Sequence, residues 1–303
     1  MILLTGGTGH LGTELLPLLA ARGIPVRVLT RDIERARRRL GPIPELVQAD
    51  ARYAGSLRSV FDDVDIVISA MTGFGPGGDG PRAIDYEANA SLIRAAEAAG
   101  VRRFVLISMC GAAADHPMEL MRMKHRAEQA LRTSGLDWTI VRPNVFMELW
   151  VGIVGDPIAK AGKAVVFGRG DNPINFNSAA DVARVVELAL FDPRLSRTVM
   201  EVGGPENVTL NELVSEVEAA TGRKAAVRHV PLAVMRISRL LLKVAKPDLA
   251  GMIEGGIGFD TLDLRFDSTE LQKRFPEVEL TRMADAVRGR YGARPASLVQ
   301  RAT

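Results

Sequence analysis

Cysteine, histidine and aromatic residues are scarce in this chain. Its 303 residues include one Cys, four His and only 5% aromatic residues. The single thiol, Cys110, excludes an internal disulfide and any multi-cysteine metal site, so we expect no metal and a reducing, cytoplasmic compartment. No apolar run is long enough to cross a bilayer. The first predicted strand follows Met1 directly, so we also expect no leader peptide.

An excess of one charge is also lacking. The formal net charge is +3, with 47% apolar and 25% charged residues, which is typical of an ordinary globular protein. One predicted helix carries the basic residues Arg35, Arg37, Arg38 and Arg39. This pattern favours a solvated helix face over a nucleic-acid patch. We expect neither a nucleic-acid nor a membrane partner, and the sequence leaves monomer and homodimer open.

A glycine-rich turn near the N-terminus is the most informative motif. An apolar run at Ile2 to Leu4 reads as a short buried strand, and leucines at helical spacing follow the glycines Gly6, Gly9 and Gly12. Glycine allows the tight turn, a close approach to a pyrophosphate, and close packing of helix on strand. The free N–H groups of that helix attract phosphates. The turn therefore predicts a dinucleotide site.

Strand and helix signals alternate as far as Val141, which predicts an α/β Rossmann fold: a doubly wound parallel sheet with helices on both faces. We expect residues 1–143 and 178–225 to form this nucleotide-binding domain. Residues 144–177 and 226–275 are expected to form a small C-terminal substrate or lid domain. The segment 227–275 is helical and apolar with interleaved basic residues, which would suit a membrane-lying helix, but a substrate-domain helix is the simpler interpretation. Residues 294–303 carry no signal, and we expect a disordered tail.

The residue that ends the second strand bears on the choice of cofactor. Arg31 stands about twenty residues after the glycines, where an NAD-specific protein places an acidic residue for the ribose 2′-hydroxyl. An arginine there favours a 2′-phosphate, hence NADP(H). Asp32 follows directly, and a shift of one residue would restore an acidic partner and NAD(H).

Five features of the sequence carry a resemblance to a known superfamily. They are the turn Thr5-Gly-Gly-Thr-Gly-His-Leu-Gly12, Ser108, Lys124, the run Ser134-Gly-Leu-Asp-Trp-Thr-Ile-Val-Arg-Pro143 and the segment Asp181-Val-Ala183. The chain resembles the extended or atypical short-chain dehydrogenase/reductase superfamily, in its NmrA-like and isoflavone-reductase-like group. This superfamily usually has a tyrosine four residues before the lysine, and Leu120 stands there instead.

The resemblance implies a set of site residues. Ser108 and Lys124 would be catalytic, with Lys124 also touching the cofactor. The cofactor would further contact the glycine turn, the strand ends and the start of the second half: Gly6, Thr8, Gly9, His10, Leu11, Gly12, Arg31, Asp50, Ala51, Ser69, Ala70, Met71, Pro143 and Asn144.

Two further stretches are candidates for the acceptor side. The apolar run after the sixth strand, with Phe146, Met147 and Trp150, is predicted to form the substrate wall, or alternatively a hydrophobic contact between domains. The glycine-rich residues 73–80 either close over the substrate or form a plain surface connection.

These features lead to three hypotheses. The first is an NADPH-dependent reductase that transfers hydride to an apolar carbonyl, quinone or conjugated alkene. The second is a non-enzymatic, NADP(H)-sensing regulatory protein of NmrA type, which the missing tyrosine favours. The third is a scaffold whose nucleotide site is only structural.

Overall fold

The computed structural model describes residues 1–75 and 78–292. Its first half alternates strands and helices: β1 (Ile2–Thr5), α1 (His10–Ala21), β2 (Val26–Thr30), α2 (Ile33–Leu40), β3 (Glu45–Gln48), β4 (Ile66–Ser69), α3 (Asn89–Ala98), β5 (Arg103–Ile107), α4 (Glu119–Arg132) and β6 (Asp137–Pro143). A π-helical segment, Arg82–Ala88, leads into α3. The sequence predicts a single long helix over this stretch.

In the second half, strands and helices no longer alternate regularly. It comprises β7 (Val145–Phe146), α5 (Met147–Ala161), β8 (Lys163–Phe167), β9 (Ile174–Asn177), α6 (Ala179–Phe191), β10 (Thr198–Val202), β11 (Asn207–Val208), α7 (Leu210–Thr221), β12 (Ala226–Val230), α8 (Leu232–Ala245), α9 (Pro247–Thr261), α10 (Thr269–Arg274) and α11 (Met283–Tyr291). The predicted tail, 294–303, lies outside the described residues.

Seven parallel strands form the central sheet in the order β10-β6-β5-β4-β1-β2-β3. Alternate residues of each strand point to opposite faces. Leu4 and Val28 therefore pack under α1, α2 and α6, while Leu3 and Val67 pack under α3 and α4. The sheet confirms the predicted doubly wound Rossmann fold. Its strand order reverses between β1 and β4, where such sheets open a ligand crevice.

A separate core holds the smaller part of the molecule together. It is formed by α5, β8, β9, α7 and α11 with residues such as Trp150, Phe176 and Leu213. The sequence placed 178–225 in the nucleotide-binding domain, yet α7 packs on α5 and α11. Conversely Leu271 and Phe275, assigned to the small domain, join the core beneath α1 and α6. We propose that α7 belongs to the small domain and α10 to the nucleotide-binding domain.

Candidate functional site

The glycine turn brings three segments of backbone into contact. Gly6 has a left-handed φ of +72°, and a Cβ there would lie 2.3 Å from the carbonyl oxygen of Ala70 at the end of β4. A Cβ on Gly12 would lie 2.4 Å from Cα of Gly7. Larger residues would thus push α1 away from the sheet. Because α1 begins without a side-chain cap, its first N–H groups remain available to an anion.

A cavity of about 340 Å³ opens at this turn, at the carboxyl ends of the neighbouring parallel strands. Among the sequence-predicted cofactor residues, eight line it: Gly6, Thr8, Gly9, Arg31, Asp50, Ala51, Ala70 and Met71. The sequence reasoning did not single out several others as cofactor contacts, including Gly7, Leu29, Thr72, Asp79 and Ile84.

Seven predicted cofactor residues do not line this cavity, and Lys124, described below, is one of them. Leu11 is buried in the core, and Ser69 is fully buried, where its hydroxyl donates to Oδ1 of Asn89 at 2.6 Å. The carbonyl of Pro143 accepts the N–H of Cys110, and the N–H of Asn144 donates to the Val202 carbonyl. His10 and Gly12 belong to α1 beside the turn. Most of these residues therefore contribute to packing or to backbone hydrogen bonds beside the cavity.

Arginine and aspartate side chains alternate along the rim of the cavity. Arg31 is ion-paired with Asp79, whose other carboxylate oxygen lies 2.9 Å from Nη1 of Arg52. Arg52 also contacts both carboxylate oxygens of Asp50. These hydrogen bonds from Arg52 hold the pKa of Asp50 below its usual value. Asp79 belongs to the glycine-rich stretch after β4, so that stretch reaches the ends of β2 and β3.

Asp32, the alternative ribose partner, has a different task. Its Oδ1 accepts the backbone N–H of Arg35 at 2.9 Å and so caps the N-terminus of α2. A carboxylate at this position also suits the positive end of the helix. Oδ1 of Asp32 is therefore committed to the helix, and Asp32 lines the cavity together with the neighbouring Arg31.

Lys124 is buried beneath the cavity. Its Nζ donates to the carbonyls of Met71 at 3.1 Å and Ile107 at 3.0 Å, and it lies 3.0 Å from Oδ1 of Asp85. The last contact is an ion pair without good hydrogen-bond alignment. An ammonium group has three protons; two of them are hydrogen-bonded here, and the positive charge is paired with Asp85. In this structure Lys124 joins the ends of β4 and β5 to the π-helical segment.

Ser108 is engaged in a second buried network. Its hydroxyl donates to Glu128 Oε1, and both oxygens of this fully buried carboxylate also accept from Arg142. The hydrogen bonds that Arg142 donates to Glu128 raise the pKa of the Arg142 guanidinium. The structure thus separates the two predicted catalytic groups: Ser108 faces Glu128 on α4, while Lys124 faces Asp85.

The predicted substrate wall is largely core. Met147 and Trp150 are buried in the small domain, and the Trp150 ring packs against Phe259 with centroids 4.3 Å apart. Phe146 packs against the core of the parallel sheet. The burial of Met147 and Trp150 favours the alternative role of this run, a hydrophobic contact, because α5 needs a buried face to join the small domain. The substrate wall stays a prediction.

Other side chains face each other across the two domains. Phe74 of the glycine-rich stretch lies against Gly255 of α9, and Met118 lies against Gly258 one turn later. A Cβ at Gly255 would be 3.0 Å from the Phe74 ring. His116 stands beside them, and burial lowers the pKa of its imidazole. No periodic pattern in the sequence pairs Phe74 with a helix nearly two hundred residues later.

Two other features are weaker candidates for a catalytic or binding site. A larger cleft of about 490 Å³ lies between Arg22, Phe191 and Arg274, but it adjoins neither the glycine turn nor the strand ends. The thiol of Cys110 contacts the Arg142 carbonyl, and burial raises its pKa to about 12, so it is a poor nucleophile at neutral pH. None of the helices within 1–75 and 78–292 has the length and apolarity needed to span a bilayer.

Comparison with known proteins places this geometry in a family. Residues 6–193, more than half of the chain, match a family described as NAD(P)H-binding. An NAD(P)H azoreductase of Xenophilus azovorans is 29% identical over 82% of this chain and 82% of its own length. The (4-alkanoyl-5-oxo-2,5-dihydrofuran-3-yl)methyl phosphate reductase of Streptomyces griseus is 34% identical over 74% of each chain.

Two further relatives complete the comparison. Photosystem II assembly factor Ycf39 of Synechocystis is 29% identical over 78% of this chain and 73% of its own length. An NADPH-dependent quinone oxidoreductase of Escherichia coli, solved with NADPH, has a TM-score of 0.76 at 24% identity, covering 96% of this chain and 100% of that one. The latter likeness concerns the fold. The chain belongs to the NAD(P)H-binding family, among the oxidoreductases of the atypical short-chain dehydrogenase/reductase superfamily.

Proposed function

We propose that this protein is an NADPH-dependent reductase whose acceptor is an apolar conjugated molecule, such as a quinone or an activated alkene or carbonyl. The observation that carries this proposal is the cavity at the glycine turn with Arg31 on its rim. An adenosine-containing cofactor fits there, because the uncapped start of α1 suits a pyrophosphate and Arg31 suits a 2′-phosphate. A bound nicotinamide would supply the hydride.

The preference for NADP(H) over NAD(H) rests on two neighbouring residues. A protein that selects NAD(H) needs a carboxylate free to accept from the ribose hydroxyls. Asp32 is bonded to the N-terminus of α2, whereas the Arg31 guanidinium is half exposed at the cavity. Arg35, which also lines the cavity, offers a second positive charge to the phosphate.

The acceptor class follows from the supply of protons. Hydride addition to a simple ketone gives an alkoxide, a strong base whose conjugate acid is about as weak an acid as water. Leu120 replaces the usual tyrosine, and Lys124 is buried with two of its three protons bonded to backbone carbonyls and its charge paired with Asp85. Hydride addition to a quinone instead gives a phenolate-like anion with a pKa of about 10. Such an anion is stable enough to form before it is protonated, so hydride transfer requires no side-chain acid.

The place of the acceptor is proposed between the glycine-rich stretch and α9. Phe74 and Met118 face Gly255 and Gly258 there, which gives an apolar surface for a flat molecule. The relatives support this substrate class by what their names state: an azoreductase and a furanone phosphate reductase both act on conjugated systems.

The test is NADPH consumption with matched acceptors. A naphthoquinone, an azo dye, an enone and a saturated ketone are offered to the wild type and to Gly6→Ala, whose added Cβ would meet Ala70. We expect turnover with the conjugated acceptors, little with the saturated ketone, and none in Gly6→Ala. A protein that binds neither NADPH nor NADH would contradict the proposal outright.

One observation favours a second candidate, an NADP(H)-sensing regulatory protein. Ser108 and Lys124, the groups retained from the catalytic motif, both donate hydrogen bonds to neighbouring protein groups. The resemblance to a photosystem II assembly factor agrees with such a role. Tight NADPH binding without turnover of any acceptor in the panel would select this candidate.

A further inference from the structure

The segment from residue 223 to 246 has a charge pattern unlike the rest of the chain. It contains no Asp or Glu and seven basic residues: Arg223, Lys224, Arg228, Arg236, Arg239, Lys243 and Lys246. The remaining 32 Lys and Arg are outnumbered by the 36 Asp and Glu of the whole chain. The positive net charge of the protein therefore comes from this one segment, which runs through β12 and α8.

Helix α8 carries an apolar face that no described element covers. Val234, Ile237 and Leu241 follow at spacings of three and four residues, and Leu240 lies three residues after Ile237. Leu240 is 74% exposed and Leu241 is 72% exposed. Large apolar side chains this open, contiguous on one helix face, mark an interaction surface.

The opposite face shows that α8 is held in place. Met235 is 2% exposed, and its methyl group packs against Gly256 of α9. Arg239 donates to Glu254 of α9 at 2.6 Å. Because these contacts fix the rotation of the helix, the exposed leucines cannot turn inward without breaking them. A substrate-domain helix, the simpler interpretation from sequence, would need only the buried face.

Exposed basic side chains lie on α8 and on the strand that precedes it. Arg228 on β12 and Arg236 on α8 are exposed, and neither forms an ion pair within the described part of the chain. Long basic side chains beside an apolar helix face can reach lipid phosphates while the apolar residues enter the acyl boundary.

From this arrangement we infer that the outer face of α8 docks on an anionic lipid bilayer. The partner is identified by charge complementarity. Arg239 and Lys224 are paired with Glu254 and Glu218, but the segment itself has no acid, and its exposed cations Arg228 and Arg236 favour a negatively charged surface. A second copy of the chain fits poorly, because a two-fold interface would bring the same basic segment against itself. The helix would lie in the interface plane, which does not require a span. The inference is independent of the proposed reductase activity and replaces our expectation of no membrane partner.

The test is co-sedimentation of the full chain with vesicles of phosphatidylglycerol and phosphatidylcholine in equal parts, and with pure phosphatidylcholine. We expect binding to the mixed vesicles and much weaker binding to the neutral ones. Raising the salt from roughly 0.1 M to roughly 1 M shortens the screening length from about 10 Å to about 3 Å and should release the protein partly.

Two double variants separate the apolar and basic contributions. Leu240→Gln with Leu241→Gln should lower the vesicle partition coefficient at least tenfold, because each buried leucine favours the apolar phase by that order. Arg228→Gln with Arg236→Gln should lower it by about fivefold per residue. The matched controls are Ile43→Gln, an exposed apolar residue elsewhere, and Arg38→Gln with Arg39→Gln on α2. Both controls should bind as the wild type does.

Three outcomes would overturn the inference. They are no binding to the mixed vesicles, equal losses in the α8 and control variants, and a dimer without lipid that Leu240→Gln with Leu241→Gln converts to monomer. The last would assign the face to a second copy. Unchanged thermal unfolding of each variant shows that a loss of binding is not a loss of fold.

Discussion

Asp79 is ion-paired with Arg31 across the rim of the cofactor cavity, and its second oxygen contacts Arg52. The carboxylate thus lies beside the guanidinium that we propose for the 2′-phosphate. Two anions cannot share this guanidinium without repulsion. The glycine-rich stretch that carries Asp79 is therefore coupled to the choice and the affinity of the cofactor.

Replacing Arg31 by alanine should weaken NADPH binding and spare NADH. A charged hydrogen bond contributes about 1.5 to 3 kcal/mol, and we expect the lower figure because Arg31 is half exposed. Calorimetric titration of both cofactors measures the difference, with Arg39→Ala as the control on an exposed arginine of α2. Equal losses of affinity for the two cofactors would contradict the role of Arg31 and favour Asp32 as the residue that binds the ribose.

Replacing Asp79 by asparagine should have the opposite effect. Removing the competing carboxylate frees Arg31, and an exposed ion pair of this kind is worth about 0.2 to 1 kcal/mol. NADPH should bind roughly 1.5 to 5 times more tightly, with NADH unchanged. Glu34→Gln, which breaks the ion pair with Arg37 on α2, is the matched control. Weaker NADPH binding in Asp79→Asn would mean that Asp79 belongs to the cofactor site itself.

Lys124→Met should act first on stability. The variant leaves the buried Asp85 carboxylate without its ion-pair partner, and breaking a buried pair costs about 3 to 5 kcal/mol. Adding Asp85→Asn should recover part of the loss. Denaturant unfolding measures the effect, and Lys273→Met, at an exposed lysine paired with Glu270, should be nearly neutral.

The same variant tests the catalytic role proposed for Lys124. A positioned proton donor contributes about 10² to 10⁴ in rate. Since two of its protons are bonded to backbone carbonyls and its charge is paired with Asp85, we expect single-turnover hydride transfer at saturating NADPH to fall by less than this. A loss of 10² or more in the folded variant would show that Lys124 leaves Asp85 during the reaction and donates.

The sequence predicts the parallel sheet and the glycine turn well, because both follow from local patterns. Alternating strand and helix signals fix the layer order, and Gly6 and Gly12 are required where backbones meet. The rim is harder, since Asp79 reaches Arg31 and Arg52 through a stretch with no periodicity. The turn was therefore predictable and its ion pairs were not.

A local sequence pattern also fails to predict a residue's role where the same composition suits two different roles. An apolar run such as Phe146 to Trp150 is equally suited to a pocket wall and to a core, and only the packing on Phe259 decides between them. Likewise a lysine at a motif position predicts a cofactor contact. Asp85, in the π-helical segment, gives it a buried partner that no spacing in the sequence indicates.

Trp150→Ala should therefore destabilise the fold and leave acceptor choice unchanged. Truncating a buried tryptophan typically costs about 3 to 5 kcal/mol, whereas Leu149→Ala, at the adjacent exposed residue, should cost little. Phe74→Ala is the complementary variant, and we expect it to raise the Michaelis constant for the acceptor with little loss of stability. If Trp150→Ala changes the order of preferred acceptors while unfolding as the wild type does, the substrate wall returns to α5.

The last prediction concerns Glu148, a largely buried carboxylate at the start of α5. Its Oε1 accepts the N–H of Ala179 at 2.8 Å and the Ser178 hydroxyl at 3.2 Å, while Oε2 has no partner among the described residues. Burial raises the pKa of Glu148, and these hydrogen bonds oppose the shift only in part.

A raised pKa means that the folded state holds the proton more tightly than the unfolded state does. The stability that this confers is complete below the unfolded pKa of 4.5 and is lost as the pH rises through the higher folded value. Gln cannot ionise, and its carbonyl can accept both hydrogen bonds that Oε1 accepts. Glu148→Gln should therefore match the wild type at low pH and become the more stable protein as the pH rises past 4.5. Denaturant unfolding of both proteins across this range gives the difference directly. A constant difference at every pH would show that the carboxyl does not titrate with folding. A variant that is less stable at neutral pH would show that the ionised form is the one the fold favours.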